Sequence, residues 1–436
     1  MADKAEKRTI SLVTLGHVDH GKSTTMGRFL AEIGVIDPRT LEKNLDEAAS
    51  LGMGEWGYAY ALDSLPEERE RGLTSDIAFQ PFQTKTKNVM LIDAPGHRDY
   101  VKNMIRGASI SDAAILMVSG EPGDLRSGLK KPEGRSPGGQ TREHAIIGSV
   151  LGIDQVIVCI NKMDLVDYQE EAFSGAVEAI KKIFKQIGSP WSKKDIHFIP
   201  ISGREGKNLT KKSEEMPWYG GPTLVEAIDF LTPPDFKDTF DLRFLVQDSY
   251  DIPGTGLVLQ GRVVSGILKK DTDVVLLPGS QDLRVREVYN TDEEPIGEIS
   301  TGNYGLVSLK NVSKEDLTPG IVLAPETKDS HSDLIKIKLL VLDSAAKPLI
   351  KGSNLVMHVA MGVTTAVIED FVSLDRPVSG SPRSDNVFFA RPGEIATVLI
   401  SPDSPIVTEL YSNNRILGRV ILRDMGNTVA VGQIID

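Results

Sequence analysis

Residues 16–23, with the sequence GHVDHGKS, constrain the fold more than any other part of the chain. An apolar run precedes them and a helical pattern follows through Ile33, which predicts a strand, a glycine-rich turn and a helix. The spacing G-x-x-x-x-G-K-S is that of a phosphate-binding loop, whose backbone N–H groups and helix N-terminus face the phosphates. We expect Lys22 to reach the outer phosphates and the Ser23 hydroxyl to bind Mg²⁺. The loop predicts nucleotide binding without naming the nucleotide.

Short apolar runs alternate with helical patterns over the first 235 residues. The runs cover residues 12–15, 89–92, 113–118, 156–160 and 196–201. Helical stretches such as 144–151 and 170–187 lie between them, which predicts a mainly parallel sheet with helices on both faces. Ligands of such sheets bind beyond the C-terminal ends of the strands.

A second motif, Asp93-Ala94-Pro95-Gly96-His97, follows the run 89–92 directly. A carboxylate at this strand end can hold Mg²⁺ through water, and the Gly96 N–H can meet a terminal phosphate. His97 either orients a water for in-line attack or is a surface histidine after a turn.

A third motif, Asn161-Lys162-Met163-Asp164, follows the fourth apolar run, residues 156–160. The Asp164 carboxylate can accept two hydrogen bonds from guanine N1–H and the 2-amino group, and adenine lacks this donor pair, so the wrong base would leave a costly unpaired carboxylate. Asn161 would tie this loop to the phosphate-binding loop, and the Lys162 stem would cover the base. The backbone of Ser202 and Gly203, after the fifth run, is expected to reach the guanine O6.

Three loops of these kinds, in this order and each at the end of a predicted strand, are together a specific signature of a GTPase. The charged run 67–74 lies between the first two. A hydroxyl at Thr74 could complete the Mg²⁺ shell while a γ-phosphate is bound and release it afterwards. Taken alone, such a run is more often a solvated helix face.

Five motifs extend this signature to a known family: GHVDHGKST, ERGLT, DAPGHRDYVKNMI, GQTREHA and NKMD. The chain resembles the translational GTPases, and most closely the elongation factor 1-alpha family of archaea and eukaryotes, over essentially its whole length. The resemblance implies that Ser23 and Thr74 hold Mg²⁺. It also implies that His97 positions the hydrolytic water once the ribosome moves it past an apolar gate of Val18 and Leu73, where the family usually has isoleucine at the second position.

The predicted site consists of nucleotide-binding, switch, metal-binding and catalytic residues. The expected GTP-binding residues are Gly16, His17, Val18, Asp19, His20, Gly21, Lys22, Ser23, Thr24, Asp93, Ala94, Pro95, Gly96, His97, Asn161, Lys162, Met163, Asp164, Ser202 and Gly203. The expected switch residues are Leu73 and Thr74, the metal ligands are Ser23, Thr74 and, through water, Asp93, and the catalytic residue is His97.

The pattern changes after residue 235 to short alternating runs such as 242–246 and 256–264, without a helical stretch of note. This profile predicts two small antiparallel β-barrels behind the α/β P-loop GTPase domain. We place the GTPase domain at 1–235, the first barrel at 236–330 and the second at 331–436.

The resemblance implies an enzyme that hydrolyses GTP to GDP and phosphate when stimulated by the ribosome. In its GTP form it would deliver aminoacyl-tRNA to the ribosomal A site. The same three-domain plan also resembles the GTPases that escort a release-factor-like or ribosome-rescue protein, and the GTP-dependent activator of sulfate adenylylation. His20 favours the elongation factor over the escorting GTPases, and the run DAPGHRDYVKNMI fits the sulfate activator poorly. The family plan also allows for a guanine-nucleotide exchange factor.

Composition limits the setting in which the chain works. A formal net charge of −12 argues against a protein that coats nucleic acid. The opening residues lack the apolar core of a signal peptide and no apolar run is long enough to cross a bilayer, so we expect a cytoplasmic monomer without a membrane partner. The Gly/Pro-rich stretch 121–139 predicts a mobile loop, and the aromatic cluster 56–60 predicts packing rather than base stacking.

Overall fold

The computed structural model describes residues 7–436 apart from short gaps. The gaps are residues 53, 64–65, 72–73, 132–137, 235–240, 253–254, 279–280, 311, 313–316, 318–321, 326–332, 343, 346, 377, 379, 383 and 385. The chain divides into two compact units, Met1–Pro233 and Pro234–Asp436. The predicted domain boundaries at residues 235 and 330 lie outside the described residues and stay predictions.

The first unit is an α/β sheet of six strands. Its strands are β1 Thr9–Gly16, β2 Ala78–Gln83, β3 Asn88–Asp93, β4 Ala113–Ser119, β5 Gln155–Asn161 and β6 Phe198–Pro200. Its helices are α1 Lys22–Glu32, α2 Pro38–Ser50, α3 Pro66–Arg71, α4 Val101–Ser109, α5 Pro122–Leu129, α6 Gln140–Val150, α7 Glu170–Gln186 and α8 Leu224–Phe230. The strand order is β2-β3-β1-β4-β5-β6, and every neighbouring pair is parallel except β2 with β3.

This sheet confirms the predicted α/β domain and its five parallel strands. Successive residues of β1 point to opposite faces of the sheet, as in any strand. Ile10 and Leu12 belong to the core shared with α1 and α8, whereas Leu15 lies against Gly148 of α6 on the other face. The edge strand β2 escaped prediction because Pro81 interrupts its pattern, and proline is tolerated mainly at sheet edges.

The stretch 121–139 differs from its prediction as a mobile loop. Residues 122–129 form the helix α5, and residues 132–137 lie outside the described residues. Pro122 occupies the first turn, where its missing N–H costs nothing, and the Glu121 carboxylate caps the helix by accepting the Asp124 N–H at 2.6 Å. The prediction was wrong because the glycines and prolines hid these helix-start signals.

The second unit consists of two β-barrels. The first contains β7 Arg243–Ile252, β8 Gly256–Ser265, β9 Ile267–Lys269, β10 Asp273–Leu277, β11 Gln281–Tyr289, β12 Pro295–Ile296, β13 Glu298–Ser300, β14 Tyr304–Lys310 and β15 Val322–Ala324. The second contains β16 Ile335–Val341, β17 Leu349–Ile350, β18 Asn354–Val359, β19 Gly362–Arg376, β20 Phe389–Ala390, β21 Ile395–Pro402, β22 Arg419–Asp424 and β23 Asn427–Ile434.

Antiparallel pairing closes both barrels, as predicted. In the first, the order β10-β15-β7-β8-β14-β11 returns to β10. In the second, the closed order is β16-β21-β19-β18-β22-β23. Each has its own apolar core, and an ion pair of 2.6 Å joins Arg243 at the start of β7 to Glu409 in the segment after β21. Within the described residues, no helix has the length and apolar character needed to span a bilayer.

Candidate nucleotide-binding site

The loop between β1 and α1 folds tightly around glycine. Gly21 has a left-handed backbone with φ +78°, and a Cβ built on it would come within 2.6 Å of the Asn161 amide nitrogen. Glycine is therefore required here both by conformation and by space. The turn places the N-terminus of α1, which begins at Lys22, just beyond the C-terminal end of β1.

Lys22 lies beneath this loop with only 6% of its surface exposed. Its ammonium donates to the His17 carbonyl at 2.9 Å. Burial lowers the pKa of Lys22 to about 8, with partial compensation by the nearby carboxylates of Asp93, Asp19 and Asp63. A bound anion would restore the charge that burial disfavours.

Gly96 brings the second loop against this lysine. A Cβ built on Gly96 would lie 2.1 Å from Lys22 Nζ and 3.0 Å from the Val18 nitrogen. No side chain fits between them, so the backbone of Gly96 can approach whatever Lys22 binds.

Hydroxyl and carboxylate oxygens form a cluster beside the lysine. Ser23 Oγ donates to Asp93 Oδ2 at 2.6 Å and lies 2.9 Å from Thr74 Oγ1. Thr74 Oγ1 in turn donates to Asp63 Oδ1 at 3.0 Å. On the far side, the buried Thr14 hydroxyl donates to the other oxygen of Asp93. The structure thus joins the three predicted metal ligands and adds Asp63.

Both carboxylates in this cluster resist ionisation. Burial raises the pKa of Asp63 to about 7, and the charge of Asp93 adds to the effect. Burial also raises the pKa of Asp93, although hydrogen bonds from Ser23 and Thr14 partly offset it. Two buried carboxylates that stand among hydroxyls suit a hard divalent cation, which prefers oxygen ligands. The residues present therefore fit Mg²⁺.

The third motif meets the phosphate-binding loop through Asn161. Its amide nitrogen donates to the His20 carbonyl at 2.8 Å and to Thr25 Oγ1 at 3.2 Å. Its amide oxygen accepts the Gly203 N–H at 2.8 Å. One side chain thus holds three loops together, while Lys162 extends to Asp124 at 2.8 Å.

A cavity runs along these loops. It is lined by Val18, Asp19, Gly21, Lys22, Ser23, Thr24, Thr25, Trp56, Ala59, Asp63, Thr74, Gly96, Asn161, Lys162, Asp164, Leu165 and Arg204. The other predicted residues lie in the same loops but not among those lining it: Gly16, His17, His20, Asp93, Ala94, Pro95, His97, Met163, Ser202 and Gly203. Trp56 was predicted to serve in packing, and its place in the cavity was missed.

Two family models and several full-length relatives match this chain. The family described as Elongation factor Tu GTP binding domain matches residues 7–234, and the GTP-eEF1A C-terminal domain-like family matches residues 335–435. Elongation factor 1-alpha of Ignicoccus hospitalis is 39% identical over 99% of this chain and 97% of its own length. That of Thermofilum pendens is 38% identical over 99% of this chain and 98% of its own length.

The chain belongs to the elongation factor 1-alpha family. It is therefore a translational GTPase that binds guanine nucleotide. Among solved structures, the GTPase-like domain of S. cerevisiae Ski7 bound to GTP shares the fold, with a TM-score of 0.79, 16% identity and coverage of 98% of this chain and 97% of that one. SelB of Methanococcus maripaludis with a GTP analogue gives a TM-score of 0.68 at 20% identity, over 99% of this chain and 79% of that one.

His97 stands apart from the cavity in this elongation factor 1-alpha relative. Its imidazole is one-third exposed and lies beside the Tyr100 ring, with ring centroids 5.9 Å apart and the ring planes tilted by 54°. Nδ1 accepts the Asp99 N–H at 3.3 Å, which leaves Nε2 free to carry the proton of the neutral ring. Of the two proposed gate residues, Val18 lines the cavity and Leu73 lies outside the described residues.

The motif GQTREHA supports the phosphate-binding loop from behind, a role that the sequence left unassigned. His144 Nδ1 accepts the Gly16 N–H at 3.0 Å, and Thr141 Oγ1 accepts the His17 N–H at 3.1 Å. His144 is fully buried, and its burial beside Lys22 lowers its pKa. These contacts span more than a hundred residues of sequence, so no local spacing could have shown them.

Proposed function

We propose that this chain, in its GTP form, delivers aminoacyl-tRNA to the ribosomal A site and is released after ribosome-stimulated GTP hydrolysis. The observation that carries the proposal is the oxygen cluster of Ser23, Thr74 and Asp93 beside Lys22 and Gly96. Such a cluster, within a chain alike over its whole length to elongation factor 1-alpha, is the arrangement that a γ-phosphate-dependent switch requires.

In this proposal the phosphate-binding loop holds the β- and γ-phosphates through its N–H groups and the Lys22 ammonium. Ser23 and Thr74 would hold Mg²⁺ through their hydroxyl groups, and Asp93 would hold it through water. The ion would neutralise charge that develops on the phosphates during transfer. Gly96 offers its N–H to the γ-phosphate, since its lack of a side chain allows that approach.

Guanine selection is assigned to the third motif. Asp164 accepts from N1–H and the 2-amino group, Lys162 covers the base, and the backbone of Ser202 and Gly203 reaches O6. Asn161 supports this arrangement by fixing the loop to its neighbours. An adenine base would leave the Asp164 carboxylate without its two donors, which is a costly state for a half-buried charge.

His97 is the proposed catalytic residue. Docking on the ribosome would move its imidazole from its place beside Asp99 to the γ-phosphate, past Val18 and Leu73, where it orients the attacking water. Hydrolysis then breaks the bond between the γ-phosphate and GDP. Without the γ-phosphate, Thr74 would no longer be held at the metal site, and the loop that carries it would be released.

The alternative of escorting a release-factor-like or ribosome-rescue protein is not favoured. The two relatives described above match this chain from end to end and are both named elongation factor 1-alpha. We further propose that the chain is a cytoplasmic monomer. A guanine-nucleotide exchange factor would replace its bound GDP with GTP.

Ester protection and ribosome-stimulated hydrolysis test the function together. The GTP form should slow deacylation of charged tRNA, and ribosomes should accelerate GTP turnover. His97→Ala should abolish this stimulation while leaving GTP affinity unchanged. Arg98→Ala, at the exposed neighbouring position, is the matched control and should keep both. Tight binding of a release-factor-like protein without ester protection would contradict the proposal.

A further inference from the structure

The segment after Thr74 is held from one side by Glu68 of α3. Glu68 Oε1 accepts the Ser75 N–H at 2.8 Å, the Ser75 hydroxyl at 3.0 Å and the Asp76 N–H at 3.0 Å. Only 4% of the Glu68 surface is exposed. A carboxylate is buried at this cost only when hydrogen bonds compensate it, so these contacts fix both the side chain and the segment.

The same segment is held from the other side by Asn103 of α4. Asn103 Nδ2 donates to the Ser75 carbonyl at 2.9 Å and approaches Asp76 Oδ1 at 3.4 Å. Asn103 is also buried, with 9% of its surface exposed. Helix α4 begins at Val101, a few residues after Gly96. Asn103 therefore connects the loop that contains Gly96 with the segment that contains Thr74.

Because Ser75 bonds to Glu68 through its N–H and to Asn103 through its carbonyl, its position depends on both side chains. Thr74 precedes it directly, and the Thr74 hydroxyl contacts Ser23 and Asp63. The two side chains therefore fix the residue next to the Thr74 hydroxyl.

We propose that Glu68 and Asn103 are positioning residues that act as one latch between the two switch loops, holding Thr74 at the metal site only when the loop of Gly96 is in its GTP-bound place. This inference rests on the proposed function, because it assigns the latch to the GTP state of that same site. Neither Glu68 nor Asn103 is among the residues that line the cavity described above, and both act through Ser75.

The test compares GTP and GDP affinity in the presence of Mg²⁺ for the full chain and its variants. Glu68→Ala and Asn103→Ala should each weaken GTP binding about tenfold. A tenfold loss is the size expected when the net contribution of buried hydrogen bonds that position Ser75 is removed. GDP affinity should change less than about twofold, because without a γ-phosphate the latch does not close. The exposed neighbours provide matched controls, Glu67→Ala for α3 and Lys102→Ala for α4.

The double variant Glu68→Ala/Asn103→Ala separates a latch from two independent contacts. If the two residues act as one latch, the double variant should lose no more GTP affinity than the single variant with the larger loss. Independent contacts would instead give additive losses. Equal losses for GTP and GDP would indicate a merely structural role and overturn the inference, as would additive losses. A wild-type chain without guanine preference would instead refute the proposed function, so the two failures are distinct.

Discussion

Replacing Asp63 by asparagine tests whether the buried carboxylates control the stability of the first unit. Asp63 is 2% exposed and faces Asp93, Glu68 and Arg69, with the Thr74 hydroxyl donating to it. Asparagine keeps an oxygen that can accept this hydrogen bond and removes only the charge. The substitution therefore isolates the cost of ionising this position.

The sign follows from the direction of the shift. The pKa of Asp63 is raised from 3.8 to about 7 in the folded protein, so the folded state binds a proton more tightly than the unfolded state. The resulting stabilisation is complete at low pH and is lost as the pH rises towards and through 7. Between pH 5 and pH 8 the loss from this one group amounts to roughly 2 to 3 kcal/mol of unfolding free energy.

Tryptophan fluorescence during urea unfolding of the nucleotide-free, EDTA-treated chain measures this effect. All three tryptophans, Trp56, Trp191 and Trp218, lie in the first unit, so the signal reports that unit alone. The wild type should lose roughly 2 to 3 kcal/mol more than Asp63→Asn between pH 5 and pH 8. Excess Mg²⁺ at pH 8 should restore the wild type more than the variant, since the cation takes the place of the proton.

Asp46→Asn, at an exposed position of α2, is the control and should follow the wild-type pH profile. Parallel profiles for the wild type and Asp63→Asn would refute the reasoning. They would mean that the carboxylate of Asp63 is ionised at little cost and is not paired with the metal site.

Three further predictions follow from other parts of the structure. Asp164→Asn should reverse the base preference from guanine to xanthine in competition binding, with a loss of GTP affinity of about a hundredfold or more, and an unchanged GTP affinity would contradict the assignment. Gly96→Ala should weaken GTP binding far more than GDP binding in calorimetry, since a Cβ would stand 2.1 Å from Lys22 Nζ; equal effects would mean that this contact is unrelated to the γ-phosphate. Glu409→Ala removes the carboxylate that pairs with Arg243, whose side chain is 11% exposed and keeps only its bond to the Leu242 carbonyl among those described. The second unit should lose about 3 kcal/mol of stability in thermal unfolding, whereas a change below about 0.5 kcal/mol would mean that water replaces the carboxylate.

The sequence predicted the sheet and the loops well because their signals are local. Each parallel strand is a short apolar run, and each functional loop starts where such a run ends. Ser23 and Asp93 are 70 residues apart and still meet, because parallel strands bring their C-terminal ends to one edge. The same argument could not find α5, whose proline and glycine residues resemble those of a loop.

Other parts of the site depend on packing that no spacing encodes. Asp63 lies beside the predicted metal ligands although no strand end or motif marks it, and His144 supports Gly16 from 128 residues away. Glu68 and Asn103 meet at Ser75 only because α3 and α4 lie on either side of that segment.

The sequence by itself determined that the chain has an α/β P-loop GTPase domain followed by two β-barrels. Glycine spacing and apolar runs determine the local backbone, because each acts over only a few residues. The tertiary structure decided which buried carboxylates, imidazoles and amides surround those loops. The physical reason is that the pKa of a carboxylate and the position of a switch depend on burial and on partners distant in sequence. Those are set only when the helices pack against the sheet.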